Sequence, residues 1–319
     1  KGLGSIFKNI PILSKYLTFL SPLVFESFDL GEYDIVISDS SSYAKGALTK
    51  PDQLHISYIH TPPRFLYGYS VENTKRNAWY YKWVVVLVDH FLRIWDYNAA
   101  QRPNYLVANS KEIQGRIKKF YDRDSTVIYP PVELGKNNSK TNEDSGDFYL
   151  IAGRLVPYKN FDVVIKSFKK LPQLKLRVIG TGPEEKKLRE FAGDNVEFVG
   201  RVSDNKKHTL MSQCLGLINA VEDEDFGIVP IEVLSHGKPV LAHKSAGHLE
   251  TVRDEETGMY FDDVKVDCLI EAIKEFDVKI KSKRFDSKII IDSTLKFSKD
   301  NFKKNFSEFV EEKWKNHSF

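Results

Sequence analysis

Between residues 148 and 242 five short apolar runs recur, "FYLIAG", "LKLRVIG", "VEFVG", "LGLIN" and "PVLA", separated by stretches with apolar residues at helical spacing. Runs too apolar to alternate between core and solvent are strands buried on both faces. Strands separated by helices pair in parallel through crossovers. The recurrence therefore predicts a doubly wound parallel sheet, with helices starting near residues 159, 183 and 204. A similar alternation earlier in the chain predicts strands near 34–38, 54–59, 105–108 and 126–128. Between the two regions lies "PPVELGKNNSKTNEDSGD" (130–147), polar and proline-led, which is linker composition. The expected organisation is a Rossmann-like domain over 1–130, a linker over 131–147, a second Rossmann-like domain over 148–295, and a C-terminal helix over 296–319. Phe297, Phe302, Phe306, Phe309 and Trp314, at roughly helical spacing, are expected to brace the domains.

The segment "NAVEDEDFGIVPIEVLSHGKPV" (219–240) carries two glutamates, Glu224 and Glu232, eight positions apart around a glycine-containing turn. "LGLI" (215–218) reads as a strand that the acidic tract ends near Asn219. From Ile228 the pattern reads as a short helix closed by Gly237 and Pro239. The turn thus joins a strand's carboxyl end to a helix's amino end, where open parallel sheets bind ligands and where unpaired N–H groups favour anions. Glu224 is expected at the rim of the crevice and Glu232 in its floor. Two carboxylates beside free N–H groups suit a ligand with both hydroxyls and phosphates, such as a nucleotide sugar.

Composition narrows the alternatives. A chain of 319 residues, 41% hydrophobic, is long enough for two cores. The net charge of +3 is too small to argue for nucleic acid, although residues 1–140 hold 18 Lys/Arg against 13 Asp/Glu and the remainder 29 against 31. Cys214 and Cys268 lie far apart and in no metal-like spacing, so neither a disulfide framework nor a zinc site is expected. "WVVVLVDHFLRIW" (83–95), the nearest approach to a membrane span, is broken by Asp89, His90 and Arg93. No signal peptide is read, and the expected location is cytoplasmic.

The ordered set "GRLVPYKN" (153–160), "VIGTGPEEKKL" (178–188), "VEFVGRVSD" (196–204), "EDFGIVPIEVLSHGKPVLA" (224–242) and "GHLETV" (247–252) resembles the donor domain of the retaining GT-B glycosyltransferases of family four. "FESFDLGEYDIVISDSSSYAKGALTKPDQLHISYIHTPPRFLY" is similar to the acceptor domain of that family's bacterial mannosyltransferase-like branch. The resemblance implies a GT-B α/β fold, two Rossmann-like doubly wound domains facing a cleft. It also implies transfer of a sugar, favoured as mannose from GDP-mannose, to a glycan or lipid-linked acceptor hydroxyl with retention. Arg154 and Lys159 would bind the donor pyrophosphate and neutralise the leaving diphosphate, so that no metal or other cofactor is needed. Glu232 would accept the ribose hydroxyls, and Glu224 would lie on the sugar side. Gly180 and Gly182 would let backbone pass close to the nucleotide, and Gly153 would also belong to the donor-binding set. The amides of Phe226, Gly227, Ile228 and Val229 would hold sugar hydroxyls and phosphate oxygens, and His60 would face the donor sugar. The implied partners are a nucleotide sugar and a glycan or lipid-linked saccharide, with peripheral attachment at the inner membrane face as a further expectation and no nucleic acid.

The family's first domain opens with a strand, a glycine-rich loop and further strand–helix units, whereas "KGLGSIFKNI" places Gly2 and Gly4 after no strand. The first domain is therefore expected to be incomplete, its sheet exposed, and the chain to bind nucleoside diphosphate while transferring sugar poorly. Two other functions stay open at this point: a non-catalytic nucleotide-sugar-binding remnant, and a nucleotide-sugar epimerase of the same fold.

Plainer roles compete for several residues. In the acidic run "EDED" Glu224 is a solvated rim residue unless the surrounding motif gives it work, and His60 has a purely structural reading at a strand end. His208, His236, His243 and His248 are read as structural. Trp79, Trp83, Leu87, Phe91 and Trp95 repeat every four residues, which predicts a core or interdomain helix face. Lys8, Lys15, Lys118 and Lys119 read as solvated surface. Asp39 and Ser40–Ser42 suit either turn chemistry or the border of an acceptor pocket.

Overall fold

The computed structural model describes residues 20–70, 82–135 and 146–317. Trp79, Gly2, Gly4, Lys8, Lys15 and residues 136–145 of the expected linker lie outside that set, as does the Trp83 side chain. The chain divides into two compact units, one of the described residues up to Tyr129 together with those from Phe302, the other of Pro130–Asn301.

In the first unit, strands β1 (Ile35–Ser40), β2 (Leu54–Ile59), β3 (Tyr105–Ala108) and β4 (Thr126–Val127) form a parallel sheet in the order β1-β2-β3-β4. Ser38 lies beside Ser57, and Ile56 beside Tyr105. Helices α1 (Ser21–Glu26), α2 (Lys82–Ala100) and α3 (Lys111–Tyr121) complete the strand–helix alternation. Every residue of β2 is buried, because both faces are covered. Leu54, Ile56 and Tyr58 pack with Phe302, Phe306 and Phe309 of helix α11 (Lys299–Lys315), and Ile59 packs with Ile113, Ile117 and Tyr121. The aromatic series of the C-terminal region is therefore split. Phe302 and Phe306 meet Tyr58 in the first unit, while Phe297, in a 3-10 turn before α11, meets Phe226 in the second.

Helix α2 carries apolar residues both toward this unit's core, at Leu92, Ala99 and Ala100, and away from it. Leu87 and Phe91 are 59% and 62% exposed, and Val86, Ile94 and Tyr97 share that exposure. Leu87 and Phe91 of the every-four stripe are therefore not core of this unit, a correction to the core expectation for those two residues, while Trp95 is half-buried against Tyr43, 5.6 Å between ring centroids. The orientation is set by Asp96, on the inward face and fully buried, whose carboxylate accepts from Lys45 Nζ at 2.5 Å, Tyr121 Oη at 2.8 Å and Tyr67 Oη at 2.9 Å. A buried carboxylate so satisfied cannot be rotated into solvent without stranding Lys45, itself 1% exposed. Among the described residues no helix is long and apolar enough to cross a membrane.

The second unit holds a six-stranded parallel sheet in the order β10-β9-β8-β5-β6-β7. Its strands are β5 (Phe148–Ala152), β6 (Lys175–Ile179), β7 (Val196–Gly200), β8 (Leu217–Asn219), β9 (Val240–His243) and β10 (Gly258–Phe261). Helices α4 (Phe161–Lys169), α5 (Glu185–Phe191), α6 (Asp204–Gln213), α7 (Ile228–Leu234), α8 (His248–Thr251), α9 (Val266–Lys281) and α10 (Ser287–Thr294) connect and flank the strands. In α4 the buried residues Phe161, Val164, Ile165 and Phe168 form one stripe against the sheet. Chain order runs outward from β5 to β6 and β7, then returns to β8 on the other side of β5. The strand order therefore reverses between β5 and β8, which is where a parallel sheet opens a crevice at the strand carboxyl ends.

Candidate active site

Two loops border that reversal point. One follows β5 and carries Gly153, Arg154 and Lys159; the other follows β8 and carries Glu222–Gly227. The first is bonded to the loop after β6: Gly153 N donates to Ile179 O at 3.0 Å, and Leu155 N to Thr181 O at 3.1 Å. A Cβ on Gly180 would lie 1.8 Å from Gly153 O, and one on Gly182 2.3 Å from Leu155 O. Gly180 also has φ +125°, a conformation side chains strongly disfavour. Glycines here let two loops of the protein pack backbone to backbone.

Lys159 ends a 3-10 turn (Pro157–Lys159), and Asn160 follows in the left-handed conformation with φ 53°. The Asn160 amide donates to Ala220 O at 2.8 Å, tying this turn to the β8 loop. Lys159 Nζ thereby comes to 3.0 Å from Glu224 Oε2, with side chains 19% and 17% exposed. Partial burial makes this contact stronger than an ordinary surface pair. The β8 loop is further held by Gly247 N, which donates to Glu224 O at 2.8 Å, and by Ser245 Oγ, which donates to Glu222 O. Arg154 is exposed at the same edge.

Gly227, at φ 95° and ψ 59°, turns the chain into α7. The first turn of any helix has N–H groups without intrahelical partners, and in α7 these are the amides of Ile228 and Val229, since Pro230 has no N–H and Ile231 N donates to Gly227 O at 3.4 Å. The Phe226 ring is buried against Phe297, 5.4 Å between centroids. On α7, Glu232 is 7% exposed, and its Oε1 lies 2.8 Å from Lys207 Nζ on α6. Burial acts to lower the Lys207 pKa, but the hydrogen bond and charge of Glu232 raise it overall. Each of the two glutamates is thus paired with a lysine from another strand–helix unit. Lys159 was legible in the sequence; Lys207 was not, because nothing in "SDNKKHTL" distinguishes it from Lys206.

His248 is fully buried. Its Nδ1 lies 2.9 Å from His243 O, and its Nε2 has no hydrogen-bond partner. Burial, opposed by the Glu224 charge and reinforced by Lys159, lowers its pKa to about 4. A neutral ring with Nδ1–H directed at the carbonyl leaves Nε2 as an acceptor. His243 bonds Ser245 at 2.7 Å and Asp262 O at 2.9 Å. His208 and His236 bond each other, Nδ1 to Nε2 at 2.9 Å. His60 belongs to the first unit, where its Nε2 lies 2.5 Å from Asp39 Oδ1 at the carboxyl ends of β2 and β1. Among the described residues no three His, Cys, Asp or Glu side chains converge as a metal-binding group.

Residues 135–284 match the family model described as glycosyl transferases group 1. The chain is 28% identical over 181 residues to an uncharacterized glycosyltransferase of Methanocaldococcus jannaschii, covering 56% of this chain and 50% of that protein. It is 27% identical over 207 residues to the O-antigen chain mannosyltransferase C of Escherichia coli, covering 59% and 53%. Over 141 residues it is 32% identical to a GDP-mannose-dependent alpha-(1-6)-phosphatidylinositol monomannoside mannosyltransferase of Mycobacterium tuberculosis, covering 38% and 36%. The chain thus spans about half the length, or less, of these curated relatives. Among solved structures, the sucrose-phosphate synthase of Thermosynechococcus elongatus superposes with a TM-score of 0.72 at 15% identity, covering 98% of this chain and 79% of that one. That likeness is one of fold.

Proposed function

We propose that this chain, whose residues 135–284 form a glycosyltransferase group 1 domain on a GT-B type α/β fold, transfers a sugar from a nucleotide diphosphate donor to a hydroxyl acceptor. The observation that carries the reading is the Lys159–Glu224 pair at the β5/β8 reversal point: a half-buried cation and a carboxylate beside a helix start. In this reading Lys159 and Arg154 take the charge of the diphosphate, the amides of Phe226–Val229 take phosphate oxygens and sugar hydroxyls, and Glu224 orients the sugar. Glu232 accepts the ribose hydroxyls.

Mannose from GDP-mannose is the favoured donor, supported by the mannosyltransferases among the relatives. The acceptor is a glycan or a lipid-linked saccharide, met on the cytoplasmic side of a membrane. The acceptor oxygen bonds to the anomeric carbon on the face from which the diphosphate departs. The carbon–phosphate-oxygen bond breaks, and the acceptor proton passes to the departing diphosphate. Retention follows from that shared face, and the two cations supply the neutralisation a divalent metal would otherwise give.

The test is incubation with GDP-mannose, with and without saccharide acceptors, followed by NMR of the anomeric signal. An α-linked product from the α-configured donor, formed only with acceptor, is expected. An altered nucleotide sugar formed from donor alone would instead establish an epimerase, and tight binding without any product a non-catalytic protein.

A further inference from the structure

The Glu232 side chain is nearly excluded from water, on a helix whose residues Pro230–Leu234 are all buried. A carboxylate in such a place needs a countercharge, and among the described residues the structure supplies Lys207. Lys207 reaches it from α6, one strand–helix unit earlier in the chain, while a second and weaker contact runs from Lys207 to the 87% exposed Asp204 at 3.5 Å. The position of α6 against α7 is fixed independently. Ser203 caps α6, and the neighbouring His208 bonds His236 just beyond the end of α7. Lys207 is thus held on a rigid element and touches one oxygen of Glu232, Oε1.

We propose that Lys207 is a positioning residue of the donor site: it engages one Glu232 oxygen and turns the carboxylate so that the other accepts the ribose hydroxyls. The inference rests on the reading of Glu232 as the ribose acceptor. Vicinal hydroxyls are donors that need a charged acceptor at a fixed angle. A carboxylate anchored through one oxygen has lost the torsional freedom that binding would otherwise remove. Lysine serves as a point countercharge and leaves the second oxygen uncovered, whereas a bidentate arginine fork would occupy both.

Calorimetry with GDP, UDP and ADP, and with the 2′,3′-dideoxy form of whichever binds best, tests this on the full chain. Lys207→Met is expected to weaken the ribonucleotide by about tenfold. It should leave the dideoxy form unchanged and add nothing in a Glu232→Gln background. Lys207→Arg, which keeps the charge and the fold if Met does not, should also weaken the ribonucleotide and spare the dideoxy form, because its fork covers both carboxylate oxygens. Equal losses for ribo and dideoxy ligands, or unchanged or tighter ribonucleotide binding by Lys207→Met, overturn the role of Lys207. If Glu232→Gln itself leaves ribonucleotide affinity intact, the ribose assignment of Glu232 fails first and this inference falls with it.

Discussion

The ammonium of Lys159 lies 3.0 Å from Oε2 of Glu224, so without ligand each largely neutralises the other. A diphosphate entering the site competes with Glu224 for Lys159. Glu224→Gln is therefore expected to bind nucleoside diphosphate at least as tightly as the parent, while transfer falls by about 100-fold or more. Lys159→Ala should weaken the diphosphate by roughly tenfold and the bare nucleoside hardly at all. Calorimetry alongside a product assay reads both. A parallel loss of binding and turnover in Glu224→Gln would remove Glu224 from the sugar side.

Gly180 is expected to tolerate no side chain. Its Cβ would enter the van der Waals radius of Gly153 O at a φ of +125°, so Gly180→Ala should destabilise the second unit by about 3 kcal/mol or more. Urea unfolding measures it. A variant with the parent's midpoint would show that the two loops separate freely.

Lys45 and Asp96 should prove strongly non-additive. Either Lys45→Met or Asp96→Leu alone leaves a buried charge, or its hydrogen-bonding partners, unsatisfied and should cost about 3–5 kcal/mol. The double variant should recover a large part of that loss, although Tyr67 and Tyr121 still lose an acceptor. Simple addition of the two penalties in a double-mutant cycle would refute the coupling.

Acid should weaken both units from within. Burial lowers the pKa of His55 in the first unit and of His248 in the second from 6.5 to about 4. The unfolded chain therefore binds protons that the folded chain refuses. The stability due to the neutral rings is complete above pH 6.5 and declines as pH falls from 6.5 toward 4, by on the order of 3 kcal/mol per histidine at the limit. Melting curves at pH 7.5, 5.5 and 4.5 follow the decline, and His248→Gln should flatten it. A melting temperature independent of pH across this range would contradict it.

Much of this was legible in the chain alone, where local chemistry and long-range structure agree. Buried parallel strands announce themselves as uninterrupted apolar runs, and those at 54–59 and 105–108 coincide with β2 and β3 to the residue. The turn from Asn219 to Ile228 is dictated by an acidic tract followed by Gly227, and the helix begins at Ile228 as its pattern requires. What the chain withheld were contacts between distant residues. Lys207 meets Glu232 across 25 positions, and the equivalence of Lys206 and Lys207 in sequence is broken only by the rotation of α6. The split of Phe297 from Phe302 was hidden by their near-helical spacing, because a 3-10 turn interrupts the helix between them.

Helix α2 illustrates a different kind of information. With apolar residues on both flanks, its hydrophobic pattern is nearly silent about orientation, and the choice is made by the Asp96 carboxylate and its three donors from outside the helix. Its outward residues therefore spell nothing that this unit's core must read. Within this unit's core Val86, Leu87 and Phe91 are free text, open to rewriting in polar letters, whereas Asp96 is a character whose change alters the sense of the helix.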